Sequence, residues 1–455
     1  MKNFEKYFGK DIYFLGIGGV SLSAMAKLCN SIGVSVSGSD VVENEYTISL
    51  KNMGVDVFIG HSKDNITKSI STLVYSSAVG LDNIELVTAK SLGIKCVERG
   101  EFLSKLCSLF DSTIAISGTH GKTTTTALIH HILSFSGLHP SMHLGGTSVN
   151  YKSNAVFGGE SVFVTEACEY KNSFSCIHSK IAVVTNIEKE HMDYYSNMDE
   201  VFMAYNNFVS HTECLVTWES ELTCKLKCKK TFVCGFSESC DFIVRDVIKL
   251  KSGYGFQVLH QGKILGNFQI NHIGMHNVYN AVLAIATVYL LSIDVPHIYV
   301  GLITFLGVGR RYENIGSLFD TPVISDYAHH PTEIKSSIDG IKTHYKNILC
   351  IFQPHTFSRT KTLINEFKTC FLGAKHLIIY KTYNAREKSI VGGRAKDLYA
   401  VVKNASKEYV PSKKQLVNTL SNIDFGAYDV VLVLGAGDID KIVRNKILKD
   451  TKLFC

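Results

Sequence analysis

Short apolar runs, most closed by a glycine or a polar cluster, recur along the chain with helical patterns between them. In the first hundred residues they read DIYFLGIGG, VSVSGSD, TLVYSSAVG and IKCVERGEF, and SLSAMAKLCNSIG has helical spacing. Strand alternating with helix predicts a parallel, doubly wound sheet. A break follows near Asp111, after which STIAIS, SVFVTEAC, IAVVTNI and ECLVTW form a second series. Beyond about residue 230 the strands shorten into hairpin-like turns, FIVRDVIKLKSGYGFQVLHQGKILGNFQI, and a helix is expected from Asn277 onward. A third α/β series starts near Asn314 with PVISDYAHHP, NILCIFQPHT, HLIIYKTYN and DVVLVLGAGDI. The pattern therefore predicts an α/β chain in three domains, 1–110, 111–313 and 314–455, with no short internal repeat.

Composition adds limits rather than direction. A chain of 455 residues is too long for one core. With 45% apolar and 19% charged residues it carries no low-complexity or disordered signature. The formal net charge of +6 is mild for this length and its lysines are scattered, so no nucleic-acid partner is expected, and small anionic substrates would fit as well. The N-terminal MKNFEKYFGKDIYFLG is not a signal peptide. The apolar run 279–293, YNAVLAIATVYLLSI, is too short to span a bilayer and belongs in a core, so no membrane partner is expected. Thirteen cysteines without framework spacing argue for reduced thiols and a cytoplasmic home. Cys224, Cys228, Cys234 and Cys240 cluster in sequence, but their spacing fits no standard zinc pattern, and strand and turn cysteines are the favoured reading.

In open α/β sheets the working residues sit just past the carboxyl ends of strands. Gly118–Thr124, Glu166, His191, Asp326–His330 and Gln353–Arg359 all follow apolar, strand-like runs. The stretch AISGTHGKTTTTALI, 115–129, is a shortened phosphate loop. A Walker loop needs a glycine five positions before Gly121, where this chain has Ile116. STIAIS reads as a buried strand, and residues 122–136 as a helix with Leu128, Ile132 and Phe135 on one face and Gly137 as its stop. Gly118, Thr119, His120 and Gly121 then lie at a helix N-terminus, where free N–H groups and the dipole face an anion. Lys122 supplies a charge for the β- and γ-phosphates, and Thr123 or Thr124 a hydroxyl for Mg²⁺. Gly16, Gly18 and Gly19 in GIGGV form a second glycine loop, followed by Asp40 at the end of the next strand. It approximates a dinucleotide fingerprint, but Ser21 stands where the third glycine belongs, so a nicotinamide or another diphosphate fits equally on local grounds.

GTHGKTTT, followed in order by TEACEYKNSF, TNIEKEHMDYY, GMHNVYNAVLA, GVGRRYE, DYAHHPTE, FQPHTFSRT and YNAREKSIVGG, resembles the Mur ligases, the ATP-dependent amide-forming enzymes of peptidoglycan precursor synthesis. The likeness runs from about residue 10 to 440. It implies a Rossmann-like domain for a UDP-sugar, a central ATPase domain with a mostly parallel sheet, and a C-terminal Rossmann-like domain for the incoming amino acid. The EACEY and DYAHHPTE versions favour a member that joins L-alanine to the lactyl carboxylate of UDP-N-acetylmuramate through an acyl phosphate.

On that resemblance the first loop (Gly16, Gly18, Gly19, with Asp40 and Ser77) holds the UDP-sugar and the second holds ATP. Glu166 and His191, with Thr123, meet Mg²⁺. Asn277 pairs with adenine, Arg311 reaches the γ-phosphate or ribose, and Asp326 lies near the ribose. Tyr327 and His329 lie near the lactyl carboxylate or the amino acid, with His329 one candidate for the amine's base. His355 and Arg359 hold L-alanine and developing negative charge. On local grounds Asn277 is equally a helix cap and His330-Pro331 a helix entry. The chain departs from the family pattern at Ser21 (usually glycine), Thr356 (often arginine) and Lys381 (often acidic). Residues in different domains imply closure on UDP-N-acetylmuramate and ATP, and a monomer or weak homodimer is expected. An NAD-dependent oxidoreductase, built on GIGG and Asp40, leaves the second loop and Glu166 unexplained. A non-catalytic nucleotide-binding regulator leaves the metal set without a purpose.

Overall fold

The computed structural model describes residues 4–76, 78–192, 194–385 and 387–452, with side chains to 448. Three sheets carry the chain. The first is fully parallel: β1 (Asp11–Leu15), β2 (Ser35–Asp40), β3 (Asp56–Ile59), β4 (Thr72–Tyr75) and β5 (Lys95–Glu98), in the order β3-β2-β1-β4-β5. The strand order reverses beside β1, and the GIGG loop leaves the carboxyl end of that strand, where such sheets bind ligands.

The second sheet has ten strands: β6 (Ser112–Ser117), β7 (Ser141–Ser148), β8 (Ser153–Val156), β9 (Val162–Glu166), β10 (Ser179–Val184), β11 (Thr212–Trp218), β12 (Thr231–Gly235), β13 (Phe242–Leu250), β14 (Gly253–His260) and β15 (Lys263–Ile270). Its order is β15-β14-β13-β12-β11-β10-β6-β9-β7-β8, with β6 between β10 and β9 and parallel to both. The third sheet contains β16 (Glu313–Leu318), β17 (Thr321–Asp326), β18 (Ile348–Phe352), β19 (His376–Tyr380), β20 (Lys407–Val410) and β21 (Val430–Leu434), in the order β16-β17-β21-β18-β19-β20. All its pairs are parallel except the edge pair of β16 and β17. Every residue of β18 and β21 is buried, as expected of parallel strands covered on both faces.

The described chain divides into two compact units. One comprises 1–249, 254–271 and 276–308, and so holds the first two sheets; the other comprises 250–253, 272–275 and 309–455. Among the described residues no helix is long and apolar enough to cross a membrane. The apolar run near residue 280 forms the Met275–Leu290 helix, buried from Val278 to Val288 apart from Tyr279. It begins two residues before the expected Asn277, so Asn277 sits inside its first turn rather than capping it. The Lys122–Phe135 helix differs from its expected one-sided face. It is buried all round from Thr123 to Leu133, whereas Phe135 is exposed. A helix packed on both sides has no single stripe for the 3.6-residue period to report.

Candidate active site

The phosphate loop leaves β6 at Gly118, and its shape demands glycine twice. Gly118 has φ +136°, and a Cβ there would collide with the Thr185 hydroxyl; Gly121 has φ +83°, and a Cβ would lie 2.5 Å from Asn280 Oδ1. The turn after β10 clamps the loop. Asn186 Oδ1 accepts from His120 N at 2.9 Å, Thr119 Oγ1 accepts from Glu188 N at 2.9 Å, and His120 pairs with Glu188 at 3.4 Å. The Lys122–Phe135 helix starts at Gly121 without a side-chain cap, which leaves its N-terminus to an anion. Thr123 and Thr124 are buried in its first turn.

Lys122 folds over this loop. Its Nζ donates to Gly118 O, to Thr119 O at 3.1 Å and to Glu169 Oε1 at 2.9 Å. Burial alone would lower the lysine's pKa; the Glu169 carboxylate outweighs it and raises the value. Glu169 is 3% exposed, and its second oxygen, Oε2, is buried without a hydrogen-bond partner. Ligand atoms of Glu169, Glu190 and His191 lie within 4.8 Å of one another, the one such grouping among the described residues. Two carboxylates and an orphaned buried oxygen suit a hard divalent cation, with the imidazole a less usual ligand. His191 has φ +56°, in the left-handed region that residues with a β-carbon adopt uncommonly.

Glu166, the expected metal ligand at the end of β9, lies outside that trio, and its Oε1 accepts from Gly145 N. Gly145 has no room for a side chain, since a Cβ would meet the Glu166 carboxylate at 2.8 Å. Asn277 Oδ1 accepts from Asn280 Nδ2 at 3.3 Å, and Asn280 Oδ1 accepts from Thr125 Oγ1 at 3.2 Å, which ties this helix to the phosphate-loop helix. Beside them Trp218 stacks on Tyr279 with ring centroids 4.2 Å apart, and Phe236 meets both rings edge-on. The four clustered cysteines do not converge. Cys234 is buried in β12, Cys240 donates to Glu219, Cys228 to Thr212 O, and Cys224 is exposed.

The first glycine loop is held mainly by the end of β2. Gly16 N and Ile17 N donate to Ser39 O, Gly19 N to Gly16 O, and Gly18 N to Asp40 Oδ2 at 2.9 Å. Asp40 thus shapes the loop. The N–H groups that remain to meet a diphosphate belong to the uncapped start of the Val20–Ser31 helix. Beneath, Glu85 is fully buried and accepts from Tyr13, Ser39, Asn65 and Ser62 N, with His61 Nδ1 at 3.1 Å. Ser77 lies outside the described residues.

In the second unit, Asp326 ends β17 with both oxygens engaged. Tyr312 N donates to Oδ2 at 3.0 Å, and Ala328 N and Ser337 Oγ to Oδ1 at 2.8 and 3.3 Å. Burial raises its pKa, while Arg311 and the amides oppose the rise. Arg310 and Arg311 both lie over the Tyr327 ring, at 4.8 and 5.2 Å, and Arg310 also donates to Gly435 O and Gly437 O. His329 Nδ1 lies 3.0 Å from Tyr327 O, which assigns the proton to Nδ1 and leaves Nε2 as an acceptor. Burial, helped by Arg359 and opposed by Glu333, pushes its pKa down to about 3. His355, 5.5 Å from His329 between ring centroids, is lowered to about 4 by burial and by Arg359. Thr356 has φ +67° and caps the Phe357–Thr362 helix that carries Arg359. His330 caps the Pro331–Lys342 helix, in a capping box with Glu333.

A phosphate loop at the end of a parallel strand, its lysine against a buried glutamate that groups with a second carboxylate and an imidazole, on a three-domain α/β chain, defines a nucleotide-using enzyme class. The chain belongs to the Mur ligase family. Its models match as the family's catalytic domain over 11–111, the middle domain over 116–288 and the glutamate ligase domain over 310–437. The chain is 35% identical to a UDP-N-acetylmuramate–L-alanine ligase of Alkaliphilus metalliredigens, covering 97% of this chain and 98% of that protein. It is 39% identical to the protein of the same name in Brachyspira hyodysenteriae, over 95% and 96% of the two chains. Among solved structures, the UDP-N-acetylmuramate–alanine ligase of Thermotoga maritima superposes with a TM-score of 0.85 at 27% identity, covering 98% of this chain and all of that one.

Proposed function

We propose that this protein is an ATP-dependent ligase that joins L-alanine to the lactyl carboxylate of UDP-N-acetylmuramate, in the cytoplasm, as a step of peptidoglycan precursor synthesis. The observation that carries the reading is Lys122, held at the phosphate loop against Glu169 in a chain similar along its length to ligases of that name. A carboxylate and an amine do not couple unaided in water, so the acid is first phosphorylated by ATP and the amine then displaces phosphate. Such phosphoryl transfer needs positioning and charge neutralisation above all.

Lys122 and the amides at the start of its helix hold the β- and γ-phosphates. Thr123, Glu166 and His191 hold Mg²⁺, and Glu169 and Glu190 join that set. The bound cation neutralises charge on the transferring phosphoryl group. Asn277 meets adenine, with Trp218 and Tyr279 offering an aromatic platform. Arg311 and Asp326 attend the phosphates and ribose, and Arg359 with His355 receives the amino acid. His329 accepts a hydrogen bond from the amine through Nε2. A group with its pKa near 3 holds a proton poorly at neutral pH, so it orients the amine rather than retaining its proton.

The test is product analysis with ATP, UDP-N-acetylmuramate and a mixture of amino acids. UDP-N-acetylmuramoyl-L-alanine and stoichiometric phosphate are expected. A different sugar-nucleotide product, or ATP turnover indifferent to UDP-N-acetylmuramate, overturns the reading.

A further inference from the structure

Ser21, in the first turn of the Val20–Ser31 helix, is joined to the central sheet by an unbroken chain of hydrogen bonds. Its hydroxyl lies 3.0 Å from His143 Nε2; the other ring nitrogen, Nδ1, lies 3.0 Å from Thr165 Oγ1; and that hydroxyl lies 3.1 Å from Glu166 O. His143 sits on β7 in register with Thr165 on β9 and is 2% exposed. Burial, with Arg99 adding to it, pushes its pKa down to about 3, so the ring is neutral and has one N–H and one lone pair.

Only one arrangement satisfies every group once Thr165 donates to Glu166 O. Thr165 then accepts from Nδ1–H, and Nε2 accepts from the Ser21 hydroxyl. A second tie runs beside the first. Arg99 Nη1 lies 3.5 Å from Ser21 Oγ and Nη2 3.3 Å from Ser173 Oγ, and Ser173 in turn donates to Cys168 O, next to Glu169. Both ties start at the second residue of the helix whose N-terminus faces the sugar nucleotide. Both end on the segment that carries Glu166 and Glu169.

We infer that Ser21 and His143 are positioning residues that couple the diphosphate end of the sugar-nucleotide site to the carboxylates of the nucleotide–metal site. The inference rests on the ligase reading above. A hydrogen-bonded chain of fixed direction resists displacement at either end, because moving one hydroxyl leaves a buried neighbour unpaired. Such coupling is reciprocal: whatever orders one end favours binding at the other.

Calorimetry with the full chain tests it. The dissociation constant of UDP-N-acetylmuramate is measured alone and again with Mg²⁺ and a non-hydrolysable ATP analogue, and the ratio of the two is compared across variants. In the wild type the ratio exceeds one. Ser21→Ala and His143→Leu each lower it by roughly three- to tenfold, the worth of one net hydrogen bond. The double variant loses no more than either single, as expected of one chain. His143→Gln, which can still bond at one end, recovers part of the ratio. In turnover the two disruptive variants lower kcat while leaving the KM for L-alanine unchanged.

A wild-type ratio of one, unchanged ratios in the variants despite altered melting temperature, or losses that add in the double variant overturn the coupling. If His143→Leu does not fold, Ser21→Ala on the partly exposed helix end decides alone. Failure of the ligase reading has its own signature, namely wild-type protein that takes up no UDP-N-acetylmuramate.

Discussion

At the residue scale, the proposed phosphate-binding role of Lys122 and its ion pair with Glu169 can be separated by mutation. Lys122→Ala removes the charge proposed to hold the phosphates and is expected to lower phosphate release by at least a factor of about 10²–10³. It also leaves the Glu169 carboxylate buried without its partner, which costs roughly 3–5 kcal/mol. Glu169→Gln in the same chain should restore most of the lost stability, measured by denaturant unfolding, without restoring turnover. Recovery of both together would mean that the lysine is structural. Lys122 and the glycines around it were legible in the sequence because strand, loop and helix surround the GKT. Glu169 and Glu190 were not, although both stand inside quoted motifs. Nothing in TEACEY marks which of its two acids becomes buried against a lysine, and only the fold turns Glu190 toward Glu169. Asp40 was legible as a residue of the first loop, but its contact with the Gly18 amide was not.

At the scale of elements, glycine positions give a sharp contrast. Gly118→Ala and Gly121→Ala each combine a left-handed or extended positive φ with a collision, and should abolish nucleotide binding by calorimetry. Gly137 also has a positive φ, +82°, but a Cβ there would meet nothing within 4 Å. Gly137→Ala should therefore cost only about 1–2 kcal/mol of stability and leave turnover near wild type. Loss of binding in all three would show that the phosphate loop is no tighter than an ordinary helix stop. Most strands ending in site residues were readable, since they are apolar runs buried on both faces; β2, with Val36 its one large apolar residue, is the exception. Those missed have physical reasons. β3 is an exposed edge strand, and β7 contains Gly145-Gly146 and a register shift, so its letters read as a turn. β16 is an irregular antiparallel edge with no continuous apolar run.

At the scale of the whole molecule, five histidines set the acid limit of stability. His130, His131 and His355 are held at about 4, and His143 and His329 at about 3, chiefly by burial. An unfolded histidine titrates near 6.5, so below that pH the unfolded chain binds protons that the folded chain refuses. Stability is therefore full above about pH 6.5 and falls as pH drops toward 4, by up to about 1.4 kcal/mol per pH unit for each fully buried ring. His143→Gln should flatten this slope in urea titrations between pH 6.5 and 4.5; an unchanged slope would remove His143 from the account. The three α/β series were legible from strand spacing alone. The joining of the first two sheets into one compact unit was not, because it rests on an apolar core shared between distant segments, such as Phe110 stacked on Phe163, and on isolated polar contacts such as Ser21 with His143, none of which leaves a periodic signal. UDP-N-acetylmuramate and ATP together should reduce the radius of gyration in small-angle scattering, and light scattering should report a mass near 50.4 kDa or a weak dimer.

The pairing of Lys122 with Glu169 also bears on the form of ATP that the proposed site would accept. A lysine already balanced by a carboxylate offers little net pull on a naked polyanion, which Glu169 repels. The carboxylate must first be screened by a counterion before the ammonium can turn to the phosphates. On this reasoning uptake of ATP is expected to follow its loading with a divalent ion, and removal of that ion by chelation should weaken nucleotide binding in the wild type far more than in Glu169→Gln.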